Sequence, residues 1–171
     1  MQPIYTQTLT NTVNASYFNN IPQTFTDLKL VFSVRSSLST SLQGIYIQFN
    51  GDGNTVYSQT TLRGNGSSPS SYRDSGSNAI LTNEVPNGLN TASTFSNLEF
   101  YIPNYTSSNF KQVLIDGVKE SNSASTAIEL YMKAALWRNT SAIGSINFGT
   151  NITAPNFESN STVTLYGITK G

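Results

Sequence analysis

Asn50, Asp52 and Asn54 stand at alternate positions in IYIQFNGDGNTVYS, residues 45 to 58, where a calcium-binding loop would place its first three oxygen ligands. The pattern stops there. Only Asp52 is charged, the glycines are Gly51 and Gly53, and Thr61 stands where a twelve-residue loop needs its bidentate Glu. One carboxylate and two amides repay little of a hard cation's dehydration, so the stretch is expected to be a hairpin loop. Asn, Gly and Asp supply the positive φ angles that such loops require.

Other chemistry is constrained by what the chain lacks. It has no His and no Cys, which removes the commonest general base, the thiol nucleophile, the usual zinc ligands and any disulfide. A pair of carboxylates could still serve glycoside hydrolysis. The nine Asp and Glu residues are instead isolated, with Asp116 and Glu120 flanking a turn and Glu129 and Glu158 standing alone. The expectation is a protein that is not an enzyme and carries no cofactor or metal.

Two places could meet a partner. RGNGSSPSSYRDSG, residues 63 to 76, is the longest stretch without a strand signal and gathers Arg63, Tyr72 and Arg73, types enriched at interfaces. It reads equally as a mobile surface loop or as one ordered on a neighbouring subunit. The single tryptophan, Trp137, next to Arg138, is either a core anchor or a platform for a sugar or a partner; a buried Trp is the commoner case.

The elements that position these residues are strands. In DLKLVFSVR, Leu28, Leu30, Phe32 and Val34 alternate with Lys29, Val31, Ser33 and Arg35; in GIYIQFN, Ile45, Ile47 and Phe49 alternate with Tyr46 and Gln48. Weaker alternation covers residues 4 to 18, 55 to 62, 78 to 84, 97 to 103, 110 to 116 and 142 to 149, and STVTLYGI closes the chain. Turn residues concentrate at 36 to 43, 50 to 54, 63 to 77, 85 to 90 and 147 to 151. In TAIELYMKAALWR, residues 126 to 138, strand alternation puts Ile128, Leu130, Met132, Ala134 and Leu136 on one face and Trp137 opposite. A helix with a Glu129 to Lys133 pair is the alternative. The expected fold is all-β: a single antiparallel two-sheet β-sandwich over residues 1 to 171, jelly-roll-like, with eight to ten strands, residues 1 to 18 being either its first strand or an N-terminal arm.

Composition narrows the partners. Nine Lys and Arg balance nine Asp and Glu, and charged residues make up 11% of the chain against about a quarter on average. There is no basic field for nucleic acid. No apolar run approaches the ~18 residues that span a bilayer, and MQPIYTQTLTNTV lacks the form of a signal peptide, so no membrane partner is expected.

Four stretches taken in order, NIPQTFTDLKLVF, IYIQFNGDGNTVYSQTTLRGNGSSPSSYR, LWRNTSAIGSINF and STVTLYGI, resemble small virion proteins of tailed phages, including cyanophages and other environmental phages. The resemblance runs from Asn20 to Ile168. It implies an all-β structural component of a phage particle without catalysis. A short chain without coiled coil or repeat shaft suits a capsid decoration (cement) protein better than a fibre. Its expected partners are the major capsid protein and further copies of itself, by analogy a homotrimer, on the exterior of a capsid assembled in the host cytoplasm. A tail-associated fibre or adhesion module that binds host surface glycan is the alternative.

Overall fold

The computed structural model describes residues 1–39, 44–83, 85–122, 128–151 and 155–170. They form twelve strands: β1 Gln2–Thr8, β2 Ala15–Phe18, β3 Asp27–Val34, β4 Ile45–Phe49, β5 Tyr57–Gly64, β6 Pro69–Ser77, β7 Ile80–Leu81, β8 Ser96–Ile102, β9 Lys111–Lys119, β10 Glu129–Trp137, β11 Ile146–Thr150 and β12 Thr162–Ile168. No helix occurs among the described residues, so none there is long and apolar enough to cross a membrane.

The strands make two antiparallel sheets. Eight run in the order β1-β12-β3-β8-β9-β10-β5-β6, and four in the order β2-β11-β4-β7. The sheets pack face to face as a sandwich because alternate residues on each are apolar. Leu28, Leu30, Phe32 and Val34 of β3 and Ile45, Ile47 and Phe49 of β4 are all buried, as their alternation predicts. Rings join the layers: Phe32 of the large sheet meets Phe148 of the small one edge-on with centroids 5.4 Å apart, and Phe49 meets Trp137 at 5.5 Å. Such pairs add about 0.5–1.5 kcal/mol each beyond the area they bury.

Four expectations need correction. Residues 1 to 18 are two strands in different sheets rather than an arm, β1 pairing with β12 and β2 with β11. Residues 69 to 77, read as part of a loop, are β6, the edge strand that pairs with β5. Most of 147 to 151, read as a turn, belongs to β11; its Gly149 is needed because a Cβ there would sit 2.7 Å from the Asn14 carbonyl oxygen. Finally, residues 50 to 54 do not close a hairpin. β4 pairs with β11 and β7 in the small sheet, while β5 pairs with β10 and β6 in the large one. The stretch is a corner carrying the chain from one sheet to the other.

The segment at 126 to 138 is a strand from Glu129 onward; residues 126 and 127 lie outside the described residues, as do 40 to 43 of the first Ser-rich turn.

Candidate interaction surface

The corner explains what Asp52 does. Asn50 and Gly51 both take positive φ, and the Asn50 side chain accepts from the N–H groups of Gly144 and Ser145 at 2.8 and 3.0 Å, tying the corner to the approach to β11. Asp52 Oδ1 accepts from the Asn54 backbone and side-chain N–H groups, and Oδ2 accepts from Trp137 Nε1 at 2.9 Å and from Asn139 Nδ2 at 3.2 Å. Burial, the largest single influence, pushes the Asp52 carboxyl up, but the hydrogen bonds from Trp137, Asn54 and Asn139 together outweigh it and hold it below the ordinary value of 3.8. Its acceptor capacity is committed to the indole and the turn. No cluster of three acidic side chains able to hold a metal occurs among the described residues.

Trp137 itself is fully buried between Phe49 and Tyr57, with the Lys111 ammonium 5.9 Å from its ring centre. It is a core anchor and has no surface to offer a partner. Arg138, the next residue, is exposed and donates to the Thr55 carbonyl at 3.0 Å.

The other three sequence candidates divide between the faces of the large sheet. Arg63 and Tyr72 point toward the small sheet's side, where the guanidinium lies 5.7 Å from the tyrosine ring centre. Arg73, one residue on, points outward beside Thr60. Tyr131, on β10, is opposite Arg63 and lies six residues from Trp137, or about 20 Å along the strand. The five residues therefore do not form one site.

A polar cluster underlies β7. Glu129 is 6% exposed, takes Arg63 Nη1 at 2.8 Å and Asn83 Nδ2 at 2.9 Å, and Asn83 in turn accepts from the Tyr72 hydroxyl. Lys133 donates to the Leu81 carbonyl, and Gln59 bridges Asp74 and the Leu81 N–H at 3.1 and 3.0 Å. Burial drops the Lys133 pKa to about 8, with Asp74 and Glu129 pulling the other way.

Glu129 and Lys133 are inward because they share a strand face with Tyr131 and Trp137, and the alternate apolar residues therefore face outward. β10 runs as strict alternation, with Glu129, Tyr131, Lys133, Ala135 and Trp137 buried. On its other side Leu130 is 65% exposed and Met132 55%. The neighbouring strands extend that face: Leu130 is opposite Val118, Met132 opposite Leu62, and Ala134 opposite Leu114, with Leu62, Leu114 and Val118 all exposed. Between them is a groove of about 370 Å³ floored by Leu62, Leu130 and Met132 and bounded by Arg63, Pro69 and Asp116.

The far half of the same face is ordinary. There, Lys29 and Glu99 form an ion pair at 2.6 Å and the Thr6 and Thr164 hydroxyls are hydrogen bonded at 3.2 Å. This contiguous outward apolar face on half a sheet is the candidate contact surface, since isolated exposed apolar residues need no explanation but a patch does.

Sequence reasoning found the alternation of Leu130 and Met132 but not its direction. The available signal was parity: Trp137, the largest side chain, shares a face with Tyr131 and Glu129, and whichever face holds the Trp goes inside.

The geometry defines an all-β sandwich with one polar and one apolar half to its outer sheet face. Comparison with known protein families, with curated proteins and with solved structures finds no match.

Proposed function

We infer that this chain is a non-catalytic structural component of a phage particle, a decoration protein on the capsid exterior that clamps neighbouring capsid subunits through non-covalent contacts. The carrying observation is the apolar outward face of β9, β10 and β5, which gives a nearly uncharged sandwich a means of joining a protein assembly, through a capsid subunit or a further copy of itself. The resemblance to tailed-phage virion proteins supplies the particle.

The disposition of the carboxylates supports a structural role. Asp27 accepts from Tyr101 and the Asn104 N–H, Asp52 from Trp137, Asp74 from Gln59, and Glu129 from Arg63 and Asn83. Each holds elements of the fold together. The glycan-binding alternative loses Trp137, one of the two aromatics it would use, because that ring is in the core, and keeps only the partly exposed Tyr72.

The test compares particles with and without this protein. Particles lacking it should release their genome at lower temperature or under milder osmotic shock. Unchanged resistance would remove the clamping role.

A further inference from the structure

We propose that the outward face of β9, β10, β5 and β6 is covered by a second copy of this chain, packed sheet on sheet about a twofold axis. The proposal rests on the preceding reading only in taking this face as a protein contact.

Strand order supplies the first argument. β10 and β5 lie at the centre of the four strands and β9 and β6 on their flanks. An axis running along the strands between β10 and β5 sets β10 of one copy over β5 of the other, and β9 over β6. Leu130 and Met132 then meet Leu62, so the most exposed apolar side chains of each copy cover one another.

Charge supplies the second. The outward side of β9 carries one acid, Asp116, between Leu114 and Val118. The β6 flank carries Arg73 pointing outward. Neither Asp116 nor Arg73 is in an ion pair among the described residues. The same twofold that joins the apolar centres sets Asp116 of one copy over Ser71 of the other, two residues, or about 7 Å, along β6 from the long Arg73 side chain. The chain's formal net charge of zero adds no overall repulsion between copies.

Size is the third. Four strands at ~4.8 Å spacing and about nine residues long give a flat footprint of roughly 570 Å². Side-chain relief brings this toward the ~800 Å² per partner of a standard stable interface. Its apolar centre and polar margin are the usual anatomy of such contacts.

The full chain in isolation should sediment at twice its 18.6 kDa mass. Leu130→Lys combined with Met132→Lys should give a monomer with an unchanged circular dichroism spectrum, because both side chains are already in water. Asp116→Arg alone and Arg73→Asp alone should each weaken the pair about tenfold, and the two together should restore it, which a merely apolar contact would not show. A wild-type monomer at the highest soluble concentration, a trimer, or a dimer indifferent to these substitutions would overturn the proposal. A wild-type monomer whose capsid attachment is lost with Leu130→Lys would assign the face to the capsid protein instead, overturning the self-contact while keeping the decoration reading. A dimer obeying the charge swap from a protein absent from the capsid would do the reverse.

Discussion

Glu129 and Leu130 are consecutive residues of β10 whose surroundings are exchanged: the carboxylate is 6% exposed against the Arg63 guanidinium 2.8 Å away, while the leucine is 65% exposed. Strand alternation forces the exchange, because Glu129 shares its parity with Tyr131 and the fully buried Trp137. Burying the tryptophan places the acid inside and the leucine outside.

Removing the cation that faces Glu129 should therefore be expensive. Arg63→Ala leaves a buried carboxylate with Asn83 as its remaining donor among the described residues, at a cost on the order of 2–3 kcal/mol after allowing for the partly exposed arginine. Adding Glu129→Gln to that variant should recover part of the loss. Urea denaturation of the two variants and wild type reads this, and equal midpoints for Arg63→Ala and wild type would show the pair to be idle.

A tighter constraint lies one strand away. Gly117 of β9 is opposite Tyr131, and a Cβ at Gly117 would stand 2.2 Å from the tyrosine ring. Gly117→Ala should destabilise by roughly 1–3 kcal/mol through overpacking. Tyr131→Ser, itself costly because it empties a buried site, should be less harmful in the Gly117→Ala background than in wild type. Additive effects in a double-mutant cycle would contradict the contact.

Acid should unfold the protein through Asp27 and Asp52. For Asp27 burial again pushes up hardest, but donors from Tyr101, Asn104 and Lys170 outweigh it and leave the carboxyl below its ordinary 3.8. A carboxyl lowered in the folded state contributes stability that is present above the unfolded value and lost as pH falls through the folded one. Denaturation midpoints should hold steady down to about pH 5 and fall steeply below about pH 4. Asp52→Asn keeps one acceptor oxygen and turns an NH2 toward either the indole or the Asn54 N–H groups, so it should cost ~1–3 kcal/mol of stability at neutral pH and soften the acid fall. An acid limb unchanged in both Asp27→Asn and Asp52→Asn would rule these groups out.

Lys133 predicts the opposite limb. Its pKa falls to about 8 in the folded chain from 10.5, so between those values the unfolded chain binds the extra proton and stability rises with pH. The rise ends near pH 10, where unfolded tyrosines ionise ahead of Tyr57 and Tyr131, whose hydroxyls burial pushes well above their usual range. Wild type should thus gain stability from about pH 8 to 10, and Lys133→Met should lose that gain. A rise surviving in Lys133→Met would assign it elsewhere.

How much of this was legible depended on whether a segment has one buried apolar face. β3 and β4 do, and alternation read them correctly. β6 does not: PSSYRDSGS lies at a sheet edge with mostly exposed side chains, so no period-two hydrophobic signal exists to find. The corner at 50 to 54 was legible as a turn through Asn50 and Gly51, but hairpin or corner is decided by pairings such as β4 with β11, nearly a hundred residues apart in sequence. The candidate surface was half legible. Its residues alternate visibly and their direction follows from the parity of Trp137, whereas the burial of Glu129 and Lys133 on the inward face relies on Asn83 and the Leu81 carbonyl, which only folding brings beneath β10. Arg63, Tyr72 and Arg73 are close in sequence, but strand parity keeps Arg63 and Tyr72 on one face and turns Arg73 to the other.

The central claim is that this sandwich is a decoration protein on a phage capsid. A cryo-electron microscopy reconstruction of the intact particle tests it most directly. The account predicts twelve-stranded sandwich density on the outer capsid surface, bridging neighbouring capsid subunits. Density for this chain only at the tail tip, or none on the particle, would contradict it.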